Sequence, residues 1–196
     1  MTSKSVISLA CAVGALFVAG CGSDAPDASP AGTQGSADGA APADESFGSD
    51  PTGDSVDVRA IDFAYLDVPT SVSAGTSFSL TNESSAEAHE LVAVRLPDDE
   101  RRPVAELVTL PPEEFGPLMR GVRTVVLAAP DEQGIAVVGD GSLDEPGRYA
   151  LICVIPTGAD PQEYLTEAAT SDGPPDVAGG PPHMVNGMFA EISVTG

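Results

Sequence analysis

The sequence is poor in the residue types that carry strong chemistry. It has no Trp, 5% aromatic residues, two His and three Cys among 196 positions. Any core must therefore be built mainly from Val, Leu, Ile and Ala. Eight basic residues stand against 30 acidic ones, a formal charge of −22. That argues against nucleic acid as a partner, because phosphate binding needs a Lys/Arg surface that releases counterions. It equally disfavours adsorption to anionic lipid, and a protein partner should present a basic patch. Two histidines exclude every metal site that needs three. There is no glycine-rich phosphate loop, no strand–helix–strand alternation and no evident Ser–His–acid arrangement, so catalytic residues are not expected. The runs Asp98-Asp99-Glu100 and Glu113-Glu114 lack EF-hand spacing and read as solvated loops.

What is present begins with an address. A short polar start carrying Lys4 precedes Val6 to Gly20, apolar or small except at Ser8. This run is too short for a bilayer span, which takes about 20 residues, and it suits the core of a signal peptide. Val18-Ala19-Gly20-Cys21 resembles the bacterial lipobox. The resemblance implies a lipoprotein signal peptide over 1–20 and acyl chains such as palmitate on Cys21. Gly22 to Asp54 has 33 residues, 24 of them Gly, Ala, Ser, Thr or Pro and seven acidic, with none basic. Such a segment cannot bury enough apolar surface to offset its ordering entropy, so 21–54 reads as a lipidated Cys and a disordered tether. As a coil it reaches roughly 30 Å. The expected location is the extracytoplasmic face of a bacterial cell membrane, held by the lipid anchor only.

Residues 55–196 read as one domain of 23 acids and seven arginines. Ile61, Phe63 and Tyr65 alternate with Asp62 and Ala64, the period of a half-buried strand. Further strands are expected at Ser77 to Thr81, His89 to Leu96, Val122 to Ala128, Ile135 to Val138 and Tyr149 to Ile155. The last runs through Met188, Ala190, Ile192 and Val194. Seven or eight short strands with Gly/Pro turns predict an all-β, antiparallel Greek-key β-sandwich. One or two short helices interrupt it. Asp160-Pro161-Gln162-Glu163 combines an N-cap, a proline at the first helical position and a capping-box acid, and predicts a helix to Ala169. Pro111-Pro112-Glu113-Glu114 opens a second, shorter one.

After processing, Cys153 is the one thiol not carrying lipid. On a strand among apolar residues it reads either as a small buried hydrophobe or as a ligand. His183 and Met188, five residues apart at the entry to the last strand, can converge on it, and His89 from another strand supplies a second imidazole. Two nitrogens, a thiolate and a weak thioether suit copper cycling between two oxidation states.

At these residues the chain resembles the cupredoxins, the blue copper proteins such as plastocyanin. The resemblance is carried by Ala60 to Tyr65, Val72 to Thr76, Leu80 to Glu83 leading to His89, Pro146 to Cys153, and Pro182 to Met188. It implies one type 1 copper ion held by His89, Cys153, His183 and, axially, Met188, with His183 near the surface as the electron port. Two departures stand out. Between Cys153 and His183 lie 29 residues, Val154 to Pro182, where the family has few. Glu90 follows His89 where plastocyanins carry an Asn that braces the ligand strands. The implied protein is a monomeric, membrane-tethered single-electron carrier, not an enzyme, served by a redox partner with a basic patch. A copper chaperone with the same ligands, or a metal-free interaction module, are the alternatives.

Overall fold

The computed structural model describes residues 54–171 and 173–196. The expected signal peptide, Cys21 and the tether up to residue 53 lie outside the described residues. Two sheets pack face to face. The smaller runs in the order β2 (Ala64–Leu66), β1 (Ser55–Ile61), β4 (Thr76–Asn82), β8 (Ser142–Leu143). The larger runs β3 (Ser71–Ser73), β10 (Phe189–Thr195), β9 (Gly147–Ile152), β5 (His89–Arg95), β6 (Val122–Ala128), β7 (Ile135–Val138). Alternation sets the core. Tyr149, Leu151, Cys153 and Ile155 are at most 1% exposed and meet Leu80, Leu143, Met188 and Ile192 between the sheets.

The sandwich is the expected one, but its sheets are mixed rather than purely antiparallel. β1 runs parallel to β4, and β3 parallel to β10. These neighbours are joined by crossovers between the sheets instead of hairpins, and side-chain alternation carries no information about strand direction.

A second correction falls on Ile61 to Tyr65, which is not one strand. Ile61 pairs with Ala64 across a tight turn at Asp62-Phe63. Phe63 takes a left-handed backbone (φ +62°), a conformation that costs a non-glycine residue about 1–2 kcal/mol.

Helices cover the outer face of the large sheet. α1 (Val104–Leu107), α2 (Pro112–Phe115) and a 3-10 turn at Leu118–Gly121 close a second apolar cluster over Val92, Val94, Ala150 and Ile152. α3 (Pro161–Thr170) starts as its cap chemistry predicts, Asp160 accepting the Gln162 and Glu163 N–H groups at 2.9 Å each. Among the described residues no helix is long and apolar enough to cross a membrane.

Candidate metal centre

Three elements deliver the donors. His89 is the first residue of β5, and the loop before it is fixed by buried Asn82. The Asn82 amide donates to the carbonyls of Glu87 (2.9 Å) and Ala129 (3.0 Å), and its oxygen accepts the Ser84 N–H (2.9 Å). Cys153 follows the last residue of β9. His183 opens a 3-10 turn, His183–Asn186, from which Gly187 (φ +114°) swings the chain into Met188 and β10.

The 29-residue insertion does not hold Cys153 and His183 apart. It is pinched shut at its base by a bridge between Pro156 and Pro182. Gly180 N–H donates to the Thr157 carbonyl (2.8 Å), and Thr157 donates to the Pro181 carbonyl through its N–H (3.1 Å) and hydroxyl (2.7 Å). Gly179 is needed for this approach, since a Cβ there would lie 2.5 Å from the Pro156 Cβ. Beyond the pinch, His183 N–H donates to the Ile155 carbonyl (3.0 Å) and Met184 N–H to that of Cys153 (2.8 Å).

The three donors meet. His89 Nδ1 and His183 Nδ1 are 3.2 Å apart, Cys153 Sγ is 3.4 Å from His183 Nδ1, and one ligand atom from each residue lies within 4.8 Å of the others. All three residues are fully buried. Met188 is also fully buried, in the same apolar cluster as Cys153. Its N–H donates to the His183 carbonyl (3.1 Å) and its carbonyl accepts the Cys153 N–H (3.2 Å). Met184 and Met119 belong instead to the cluster on the outer face.

Proton accounting gives the cluster its meaning. Behind His183, Nε2 faces Glu87 Oε2 at 3.5 Å, and behind His89, Nε2 faces Asp62 Oδ1 at 3.8 Å. A carboxylate only accepts, so both outward nitrogens should carry the ring proton. Both inward nitrogens are then bare lone pairs, 3.2 Å apart. Two neutral rings carry two protons, and no placement of them satisfies both carboxylates and the contact between the rings. A neutral Cys153 thiol, 3.4 Å from His183 Nδ1, can donate to only one of the inward nitrogens. A cation between the rings satisfies all of it. The 3.2 Å gap is the separation of two nitrogens that each lie about 2 Å from one first-row ion. Imidazole, imidazole and thiolate, backed by carboxylates, are a fitting donor set for copper.

Burial tunes the groups accordingly. It pushes the His89 pKa down to about 4, with the neighbouring His183 adding to the shift and Asp62 opposing it. The His183 pKa is lowered by burial too, against the pull of Glu87. Burial, reinforced by Glu90, raises that of the Cys153 thiol. Neutral imidazoles are ready to bind, whereas the thiol must shed a proton as metal arrives.

Glu90 is a brace of a different kind from an Asn. Its N–H points at Cys153 Sγ (3.5 Å), and its carbonyl accepts the Tyr65 hydroxyl. Its buried carboxyl takes the Val154 N–H (3.2 Å) and the Tyr164 hydroxyl (3.3 Å). Burial lifts its pKa to about 7, the Val154 and Tyr164 hydrogen bonds opposing the shift.

No family model matches this chain, and no curated protein does. Solved structures similar to it are auracyanins. A dithionite-reduced auracyanin from Roseiflexus castenholzii is 16% identical, with 72% of this chain and 97% of that one covered, at a TM-score of 0.41. Auracyanin A, a "blue" copper protein of Chloroflexus aurantiacus, is 16% identical over 72% and 98% (TM-score 0.38), and auracyanin B 19% over 73% and 89% (TM-score 0.38). The two-sheet sandwich and the donor cluster stand on the chain's own geometry.

One expectation about the site is corrected in part: the His183 imidazole is not itself exposed. The Phe63 ring meets it edge-on with centroids 5.1 Å apart, Glu87 backs it, and the Pro156–Pro182 bridge precedes it. Sequence reasoning also missed Asp62, Phe63 and Glu87. The first two are placed by the strained turn, and Glu87 by the Asn82 loop two residues before His89. A turn-forming Asp and an acid beside a candidate ligand were the available signals.

Proposed function

We propose that this chain is a blue copper protein that carries single electrons between extracytoplasmic partners, anchored to a bacterial membrane through acylated Cys21. The observation that carries the reading is the buried pair of imidazoles with facing Nδ1 atoms, a thiol beside them and a carboxylate behind each. His89, His183 and Cys153 would hold one copper ion, and Met188 would be its weak fourth contact. Copper bound there supplies a one-electron couple whose properties depend on the axial donor and on the hydrogen bonds around the sulfur. The residues do the rest. Glu87 and Asp62 fix the ring tautomers, the Glu90 N–H holds the sulfur, and the sandwich keeps the donors in place before metal arrives.

Full burial favours a carrier over an enzyme, since no donor is open to a substrate, and over a chaperone, whose partner must reach the ligands to exchange metal. The acidic domain calls for a redox partner with a basic patch, and the tether for a monomer working close to the membrane.

The test is the visible spectrum of the purified chain after addition of Cu(II). An intense thiolate-to-copper band is expected, and Cys153→Ser should abolish it because a hydroxyl stays protonated and hard. A colourless protein that binds only Cu(I) would replace the electron carrier with a chaperone, and no binding would leave an interaction module.

A further inference from the structure

Strand alternation carries the surroundings of the metal centre to the outside of the molecule. His89 and Cys153 point between the sheets, so the next residue of each, Glu90 and Val154, lies on the opposite face of the large sheet. There both line a groove of about 450 Å³. Its other walls include Val92, Val125, Leu127, Val137, Val138 and, from the insertion, Tyr164. β7 is the edge strand, and Val137 and Val138 are 44% and 48% exposed. The cover that α1, α2 and the 118–121 turn give the neighbouring stretch of this face, Val92 included, ends at Met119 on the groove wall and leaves Val137 and Val138 open.

The path from the donors to this groove is short. Val154 is bonded to Cys153, and its N–H donates to the Glu90 carboxyl, which also accepts the Tyr164 hydroxyl. At the His183 end the imidazole is itself fully buried, with the Phe63 ring and the Glu87 carboxylate against it.

We propose that the groove over Glu90 and Val154, rather than the His183 end, docks the redox partner, a one-electron metalloprotein presenting an apolar knob inside a ring of Lys and Arg. This deepens the blue copper reading and rests on it. Charge selects the occupant. Asp131 and Glu132 precede β7, Asp140 follows it and Glu163 lies on α3; all four are exposed, and none forms an ion pair among the described residues. A second copy of this chain would bring acidic surface against acidic surface.

The probe is tris(phenanthroline)chromium(III), a cationic, apolar and redox-inert paramagnet, titrated into the full-length metal-free chain while amide resonances are followed. Broadening is expected at Val125, Val137, Val138 and Ala168 and not at Val185, the exposed apolar residue beside His183. Val137→Lys should weaken the probe about fivefold or more, since one added charge at contact range opposes a trivalent cation; Val185→Lys should not.

In the copper-loaded chain, oxidation by the cobalt(III) analogue moves one electron and no proton, Cu(I) becoming Cu(II) as Co(III) becomes Co(II). It should slow by a similar factor in Val137→Lys alone. Broadening centred on Val185, or equal effects of the two lysines, would overturn the assignment. So would a wild-type dimer that Val137→Lys dissociates, because the groove would then join two copies. Failure of the copper reading is separate: it shows as a missing thiolate-to-copper band, while the chromium footprint needs no copper.

Discussion

Replacing Glu87 by Gln alters one hydrogen-bonding capacity and leaves the side chain's size unchanged. The wild-type carboxylate accepts the Gly158 N–H at Oε1 (3.2 Å), while Oε2 faces His183 Nε2 at 3.5 Å. An amide has one accepting oxygen and one NH₂. With the oxygen kept on Gly158, the NH₂ faces His183 Nε2, which must then present a lone pair. The ring proton moves to Nδ1, where it can donate to His89 Nδ1 across 3.2 Å. Every group of the metal-free variant on that side is thereby satisfied, but a proton occupies the nitrogen a metal needs. Binding has to drive the proton back to Nε2, against the NH₂.

A hydrogen bond to a charged group is worth about 1.5–3 kcal/mol, so metal affinity should fall about 10- to 100-fold. The metal-free variant should be at least as stable as the wild type, since Glu87 Oε2 and His183 Nε2 are buried without a hydrogen-bond partner there. Competition with a chromogenic chelator measures the affinity, thermal unfolding the stability, and imidazole ¹⁵N shifts the tautomer. If Glu87→Gln binds copper within about threefold of wild type, or loses more than about 1 kcal/mol in the metal-free state, Glu87 does not set the tautomer and the proton accounting is wrong.

Met188→Leu should keep the blue band but raise the reduction potential, because losing a weak donor disfavours the oxidised ion most. Being nearly volume-conserving, it should change metal-free stability by less than about 1.5 kcal/mol; an unchanged potential would mean that Met188 only packs. Asp160→Ala removes both cap bonds of α3 and should cost about 1 kcal/mol in denaturant unfolding while leaving the band in place. Glu100 is held by the Arg102 guanidinium, which brings its pKa down to about 2 from 4.5, so its stabilisation is complete above about pH 4.5 and lost as pH falls toward 2. The melting-temperature gap between wild type and Glu100→Gln should therefore be widest near neutrality and close on acidification.

How much was legible from sequence follows from the range of the interactions. Short-range chemistry read well: the α3 start is written in Asp160-Pro161, and the alternation through Tyr149 to Ile155 names the residues that face the core, Cys153 among them. The scarcity of histidine helped, since the only two in the chain meet at one point. Long-range partners did not read. Nothing in Ile61 to Tyr65 announces that Phe63 accepts a left-handed backbone, because its compensation, an edge-on contact with His183, comes from 120 residues away. The parallel pairings of β1 with β4 and β3 with β10 are likewise set by which sheet the chain visits in between. α1 went unseen because four residues are too few for a period.

The insertion and the carboxylates are two parts of one solution. His183 is fully buried just past the Pro156–Pro182 bridge, and removal from water makes an unpaired charge or lone pair expensive. A buried cation therefore needs nearby negative groups. Glu87 and Asp62 provide them behind the rings, at a distance that leaves the inward nitrogens and the sulfur free to bind. With a Cys153 thiolate they would give the site three negative charges, more than either oxidation state of one copper ion would neutralise. That surplus would favour the more highly charged, oxidised form relative to a site without the two acids. The remaining negative field would belong to a surface already rich in acids, which would steer the proposed basic partner toward the domain. The same loop places Tyr164 beside Glu90, on the wall of the groove next to the sulfur. One insertion thus contributes both to the surroundings of the imidazole and to a wall of the groove.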